Sequence, residues 1–386
     1  MANPIYSALP TTIFEVMSSL ARETGAINLG QGFPDEPGPE PIRRHAAEAV
    51  LNGYNQYPPM AGLPELREAV ARHYARFQGL DLDWRSEVTV TSGATEALAC
   101  AFLALIEPGD EVVLFAPLYD AYLPMVRRAG GVAKIVRLEP PHWRFDRAAL
   151  EAVFTKRTRL VVLNNPLNPT ASVCPRADLA LLAEFCVRFD AIAVCDEVWE
   201  QVVFDGAVHR PLMAFDGMRE RTVKIGSAGK MFALTGWKVG FLIAAPALTA
   251  VLAKAHQFLT FTTPPNLQSA VAWGLANSDD WFAAMPADLA RSRDRLAASL
   301  AREGFAVLAS QGTYFLNVDL AASGVGEDDL SFCLRAVKEA GVAAIPVSAF
   351  YETDPVSSIM RLCFAKRDET LDEGARRLAK ARDLSR

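Results

Sequence analysis

A lysine among small residues at the end of a strand is a place to hold an electrophilic carbonyl, and Lys230 in Gly226-Ser227-Ala228-Gly229-Lys230-Met231-Phe232 has that setting. Its amine can form an imine there, although taken alone it also reads as an ordinary surface lysine. Asp196, in Cys195-Asp196-Glu197, stands at the C-terminal end of an apolar run, the edge where α/β sheets gather ligands. A carboxylate so placed can keep a pyridinium nitrogen protonated, so that the ring acts as an electron sink, or it can merely cap a turn. Thr91-Ser92-Gly93-Ala94-Thr95-Glu96-Ala97 passes from strand to helix through small residues. Free backbone N–H groups at Gly93, Ala94 and Thr95 and the positive helix end can bind a phosphate, with Ser227 and Lys238 adding a hydroxyl and a charge.

Three further features point into the same space. In Asn164-Asn165-Pro166-Leu167-Asn168-Pro169-Thr170 the two prolines hold the backbone and can aim the Asn168 amide at a phenolic oxygen, with one X-Pro bond expected to be cis. Arg361 is a charge inside the apolar run Ile359-Met-Arg-Leu-Cys-Phe364. A buried guanidinium needs a partner, either a substrate carboxylate gripped by its fork or an internal acid. Tyr119, after Phe115-Ala-Pro-Leu, can stack on a flat ring or simply fill the core. Gly30-Gln31-Gly32 is not a dinucleotide loop, because it lacks a third glycine and runs into Phe33-Pro34-Asp35 rather than a helix.

These residues require elements to position them. Alternating helical and strand patterns predict an α/β layer fold with a mostly parallel sheet. Helices are expected over Pro41–Asn52 and Pro64–Gln78, each with proline in the first turn and glycine at the end, and over Arg176–Phe189. Buried strands are expected at Glu87–Thr91, Glu111–Phe115, Arg159–Leu163, Ala191–Cys195 and Thr222–Gly226. From about Ser278 the texture changes to long charged helices (Trp281–Glu303, Glu327–Ala340, Asp368–Arg382) around short strands at Thr313–Val318 and Ile359–Phe364. The expected division is an N-terminal arm with part of the small domain (1–39), a large domain (40–279) and a small α+β domain (280–386). A cleft is expected between the two lobes.

Composition excludes several classes. With 386 residues, 51% hydrophobic, the chain can bury a large core. Its 39 basic and 45 acidic residues leave a net charge of -6, no footprint for nucleic acid or an anionic membrane. The longest apolar stretch, Ala97 to Ile106, is too short to span a bilayer, and no export signal is visible, so the expected location is cytoplasmic. The six cysteines form no C-x-x-C pair and the five histidines no ligand spacing, so free thiols and no protein-bound metal are expected.

In the order and spacing of its blocks the chain resembles the fold-type I pyridoxal 5'-phosphate (PLP) enzymes, specifically the class I/II aminotransferases, and most of all the kynurenine/glutamine and methionine aminotransferase group. The similarity covers nearly the whole chain and is carried by Asn28-Leu-Gly-Gln-Gly-Phe-Pro-Asp35, Asn55-Gln-Tyr57, the Asn-x-Pro-x-Asn-Pro loop, Ser-x-Gly-Lys and Thr235-Gly-Trp-Lys-Val-Gly240. The resemblance implies that Lys230 is the imine lysine and proton carrier, Asp196 the partner of the pyridine nitrogen, Asn168 the contact of the ring hydroxyl and Tyr119 the stacking ring. It implies a phosphate held by Gly93, Ala94, Thr95, Ser227 and Lys238, and a substrate carboxylate held by Arg361 with the backbone at Gly32. Tyr57 would reach the phosphate of a neighbouring subunit in a homodimer. Trp199 stands where many relatives have a tyrosine that donates to the ring oxygen; an indole N–H there is longer and differently angled.

The implied activity moves the amino group of an L-amino acid of methionine, glutamine, aromatic or kynurenine type to a 2-oxo acid in a PLP/PMP ping-pong cycle. The alternatives are a PLP-dependent carbon-sulfur β-lyase, which shares the early steps, and a PLP-binding regulator.

Overall fold

The computed structural model describes residues 3–384; Met1, Ala2, Ser385 and Arg386, the extremities of the N-terminal arm and the C-terminal segment, lie outside the described residues. The β-branched runs become strands because they are apolar on both faces and can be buried only inside a layered sheet. Val88–Thr91 (β1), Glu111–Ala116 (β2), Val132–Arg137 (β3), Thr158–Asn164 (β4), Ile192–Asp196 (β5), Thr222–Ser227 (β6) and Gly240–Ala244 (β7) make a 7-stranded sheet in the order β1-β7-β6-β5-β4-β2-β3. β7 is antiparallel to both its neighbours and every other pairing is parallel. The C-terminal ends of β1, β2, β4, β5 and β6 therefore share one edge, and each opens into one of the segments singled out above.

The five expected strands of this sheet are present with ends shifted by one residue at most. β3 and β7 are additions. β3 is a half-exposed edge strand carrying Lys134 and Arg137, so it lacks an apolar run. β7 is fully buried, but its apolar run continues through Ala245 into the helix Pro246–Leu259, where periodicity cannot separate strand from helix.

The helix Gly93–Leu105 (α1) contains most of the apolar Ala97–Ile106 stretch and buries Ala97, Leu98, Cys100, Ala101, Phe102 and Leu105, while Leu103 is exposed. Leu98 and Phe102 of α1 share a core with Leu114, Val162, Val194 and Ile225 of the strands. Each such side chain fully buried contributes about 1.5–3 kcal/mol. Glu40–Asn52, Pro64–Gln78 and Arg176–Phe189 form helices as expected, and Gly79 ends the second with φ +67.

A second, 4-stranded antiparallel sheet joins Ile345–Pro346, Ile359–Cys363, Phe315–Asp319 and Ala306–Val307 in that order. We label Phe315–Asp319 β8 and Ile359–Cys363 β9. Ile27–Asn28 pairs with Val342–Ala343, tying the N-terminal segment to this part of the chain. The long helices Asp279–Arg302 and Asp368–Asp383 pack beside it. The helix expected over Glu327–Ala340 starts at Asp329, where Asp328 caps it, and its last turn, Ala336–Ala340, is π-helical. Among the described residues, no helix is long and apolar enough to cross a membrane.

Candidate active site

The strand ends converge on a cavity of about 180 Å³ lined by Gly93, Ala94, Thr95, Tyr119, Asn168, Asp196, Trp199, Ser227, Lys230 and Lys238. At one end lies the turn from β1 into α1. Gly93 has φ +76, a conformation in which a side chain is strained, and a Cβ there would stand 3.0 Å from Lys238 Cε and 3.2 Å from its Nζ. A Cβ on Gly240 of β7 would come 2.6 Å from the Gly93 carbonyl carbon, so both glycines allow backbone and lysine to close around the turn. The first N–H groups of α1 have no intrahelical acceptor. Together with the Ser227 hydroxyl at the end of β6 and the Lys238 ammonium, they form an anion cradle.

At the other end is Asp196, buried at the tip of β5. Its Oδ2 accepts from the Tyr122 hydroxyl at 2.5 Å, while its Oδ1 is buried without a partner. Burial pushes this carboxyl upward, against the Tyr122 hydrogen bond and the charge of Lys230. An orphaned carboxylate oxygen facing a cavity is a socket for a cationic N–H donor, and a pyridinium nitrogen is one. The β4 segment wraps this end. Asn164 Nδ2 donates to the Asp196 carbonyl at 2.8 Å, Asn168 N–H donates to Asn164 Oδ1 at 2.8 Å, and both Asn165–Pro166 and Asn168–Pro169 are cis, where one cis bond was expected. Tyr119 meets Tyr122 edge to face at 5.6 Å, and burial lifts its phenol to about 12.

Arg361 sits in β9, across from Asn317 of β8. It is 1% exposed, stacked on the Phe315 ring with its guanidinium carbon 3.9 Å from the centroid. Its Nη1 donates to Asn168 Oδ1 at 2.7 Å and its Nη2 to the Gly30 carbonyl at 2.9 Å, but its Nε is buried and unpartnered. The internal ion pair that would have explained this charge is not among its hydrogen-bond partners. Burial lowers its pKa to about 10. The backbone carbonyl beside it belongs to Gly30; that of Gly32 is engaged by Tyr314 instead.

Lys230 lies between this cavity and a larger one of about 610 Å³, bordered among others by Gly38, Arg291, Tyr314 and Lys366, which opens where the residues after the N-terminal strand meet the long helix Asp279–Arg302. Its Nζ donates to the Tyr314 hydroxyl at 3.0 Å and stands 4.5 Å from the centroid of the Trp199 ring. Burial lowers its pKa to about 8. Tyr57, in contrast, is 78% exposed against Phe261 and lies outside this cavity in its own chain.

The cavity thus offers an anion cradle, an orphaned carboxylate and an amine of lowered pKa, a donor set that fits the phosphate, ring nitrogen and aldehyde of PLP. The model of the family described as aminotransferase class I and II matches residues 24–378. The chain belongs to the class I and II aminotransferases. Aminotransferases of this class and fold use PLP, and the chain is accordingly a transaminase. This aminotransferase is 46% identical over 380 residues to a probable N-succinyldiaminopimelate aminotransferase DapC of Mycobacterium tuberculosis, covering 96% of each. It is 42% identical over 370 residues to the methionine aminotransferase of Escherichia coli, again over 96% of each. The solved structure of the N-succinyldiaminopimelate aminotransferase from Mycobacterium tuberculosis superposes with a TM-score of 0.95 at 45% identity, covering 99% of this chain and 100% of that one.

Sequence reasoning missed Tyr122 and Tyr314. Tyr122 follows Tyr119 by about one helical turn, a spacing that could have flagged it. Tyr314 has no motif around it and reaches Lys230 across 84 residues. Folding also gathers donors that spacing could not reveal, Glu96 with Cys100 and His256, and Glu197 with Glu200 and His209. In the first, both His256 nitrogens are engaged, with Glu96 Oε1 at 2.8 Å and the Met60 carbonyl at 2.9 Å; burial disfavours the charged ring, but Glu96 raises its pKa, and neither nitrogen is left open to a metal. In the second, the Lys224 ammonium bonds both carboxylates.

Proposed function

We propose that this transaminase takes its amino group from an L-amino acid of methionine, glutamine, aromatic or kynurenine type, with Lys230 as the cofactor-attachment lysine and proton carrier and Arg361 as the grip on the substrate carboxylate. The observation that carries the reading is the buried Arg361 guanidinium with its unpartnered Nε, because an uncompensated buried cation needs an anion that arrives with the substrate. Bound PLP supplies a carbonyl that captures the substrate amine and a cationic ring that accepts the electron pair released at Cα. Gly93, Ala94, Thr95, Ser227 and Lys238 hold the phosphate, and Tyr119 and Trp199 flank the ring space. Asp196, steadied by Tyr122, keeps the ring nitrogen protonated. Asn168, whose Oδ1 is committed to Arg361, would have its amide N–H left for the ring oxygen and would so link the cofactor and carboxylate sites. Arg361, with the backbone around Gly30 and Gly32, fixes the carboxylate so that the Cα–H bond faces Lys230. With PLP bound, the Lys230 amine, neutral above about 8, would be the group that takes up that proton and gives it back.

The homodimer belongs to this proposal. Leu51, Tyr54, Tyr57 and Phe258 are each more than 70% exposed, an apolar surface of the kind that a second copy covers, and Tyr57 would then reach the neighbour's phosphate. The division into 1–39, 40–279 and 280–386 is supported by the two separate sheets and by the pairing of Ile27–Asn28 with Val342–Ala343. A cytoplasmic location is supported by six cysteines that are all free thiols.

The test is a half-reaction screen, following loss of the enzyme-bound PLP absorbance against methionine, glutamine, phenylalanine, kynurenine and N-succinyldiaminopimelate. Fast conversion with an oxo-acid product by one of the first four supports the reading. Conversion by N-succinyldiaminopimelate alone overturns it, as does release of pyruvate and ammonia, instead of an oxo acid that keeps the side chain, from an S-alkyl cysteine added to the screen.

A further inference from the structure

Trp199, just past the tip of β5, turns its ring toward Lys230. Lys230 Nζ lies 4.5 Å from the Trp199 ring centroid and 5.4 Å from that of Tyr314. The two rings meet edge to face with centroids 4.3 Å apart and planes at 87°, and Phe315 braces Trp199 from 5.5 Å. Both residues are almost completely buried. The Tyr314 hydroxyl gives its proton to the Gly32 carbonyl at 2.5 Å, so toward Lys230 its oxygen can only accept, at 3.0 Å. Burial holds that phenol well above its ordinary pKa, which keeps the proton in place.

We propose that Tyr314 and Trp199 form a dock for the free Lys230 amine, the Tyr314 oxygen fixing one N–H and the Trp199 face stabilising the ammonium that forms when the amine accepts a proton. The proposal rests on Lys230 being the cofactor-attachment lysine. An amine released from the cofactor needs a place close enough to return from and an environment that accepts its charge without trapping it. A carboxylate would hold the ammonium tightly, whereas a ring face and a phenol oxygen attract it more weakly. The charges around the amine are Asp196, which favours the ammonium, and Arg361 and Lys238, which oppose it; the Cys363 thiol, pushed up by burial, stands beside them. Neither dock residue accepts the substrate proton, so both are positioning residues.

The test uses the full-length chain freed of cofactor, with competitive labelling by fluorodinitrobenzene and peptide mass spectrometry to read the modification rate of Lys230 against pH. The unaltered chain is expected to titrate with a midpoint of about 8. Tyr314→Phe and Trp199→Leu should each lower the midpoint by about 0.5, the size of a partly desolvated cation–π or hydroxyl contact. Trp199→Phe, which keeps a ring face, should lower it less than Trp199→Leu. Equal midpoints in all four proteins overturn the dock, and a shift confined to one position overturns the part assigned to the other. In parallel, borohydride trapping of PLP on the unaltered protein reports on the underlying assignment. Absence of label at Lys230 overturns that assignment and the dock with it, while label with unmoved midpoints overturns the dock alone.

Discussion

Lys224 and Lys230 lie six positions apart on one strand and the turn that follows it, both enclosed by protein, and their surroundings are opposite. Lys224 is completely buried in β6, bonds Glu197 and Glu200, and lies over the Tyr74 ring at 4.6 Å. Those carboxylates are occupied in turn, Glu200 by the Tyr74 hydroxyl and Gln78 at 2.6 Å each and Glu197 by His209 at 3.1 Å. Lys230 has a phenol, a ring face and two cavities. Burial alone would lower the pKa of either amine; for Lys224 the two carboxylates overcome it and raise the pKa, whereas for Lys230 burial prevails and lowers it to about 8. The difference teaches that burial of a charge does not mark a reactive site. A cation whose counter-ions are built into the protein is locked in place, and one left without them is available to a ligand.

The same contrast separates two buried arginines. Arg293 bonds Asp205 and Asp294 and closes on the Ser310 carbonyl at 3.0 Å. Arg361 has only amide and carbonyl oxygens and keeps an unpartnered Nε.

Exchanging the two lysines for neutral residues should break the comparison in opposite ways. Lys230→Ala is expected to abolish covalent cofactor attachment and to cut turnover by about 10⁴-fold or more, since both the tether and the proton carrier are lost. Its thermal stability should stay level or rise, because a poorly compensated buried amine is removed; a large drop in melting temperature would contradict this. Lys224→Met is expected to cost about 3–5 kcal/mol of stability, measured by urea unfolding, by leaving two carboxylates buried without their cation. Cofactor attached per folded chain should be unchanged. Smaller is the effect of Arg361→Lys, which should reduce kcat/KM by roughly 10–100-fold through loss of the planar fork while leaving PLP bound. Steady-state kinetics beside cofactor stoichiometry checks it.

The pH responses should also part, in the mildest of these tests. The rate of Cα proton removal should rise as pH increases through about 8, where the Lys230 amine loses its proton. Glu197 acts on stability instead of rate, and at far lower pH. Burial would raise its pKa, but Lys224 and His209 hold it down to about 2 against an ordinary 4.5. Its contribution is fully present above 4.5 and is lost as pH falls toward 2. Acid unfolding should therefore lose this step in Glu197→Gln, and an unchanged acid limb would argue against the pairing.

Much of this was legible in the sequence where chemistry leaves local marks. Lys230, Asp196, Asn168 and the Gly93 turn each follow a strand directly, so the order of blocks and the parallel sheet bring them to one edge. Arg361 announced itself as a charge in an apolar run. What stayed hidden are contacts made across the chain. Nothing near Tyr314 signals that its hydroxyl joins Lys230 to the Gly32 carbonyl, which lies 282 residues away in sequence. Lys224 was equally invisible, because a lone lysine in a strand reads the same whether it is sealed by Glu197 and Glu200 or turned to solvent. The strands β3 and β7 escaped for physical reasons too, one being half exposed and the other merging into an apolar helix.

If locked and available cations differ as described, Lys230 and not Lys224 holds the cofactor. Borohydride reduction of the PLP-loaded protein, followed by peptide mapping, reads this directly. The expected result is one pyridoxyl label per chain, on Lys230, with Lys224 unmodified. Label on Lys224, or PLP retained with no label on Lys230, would contradict it.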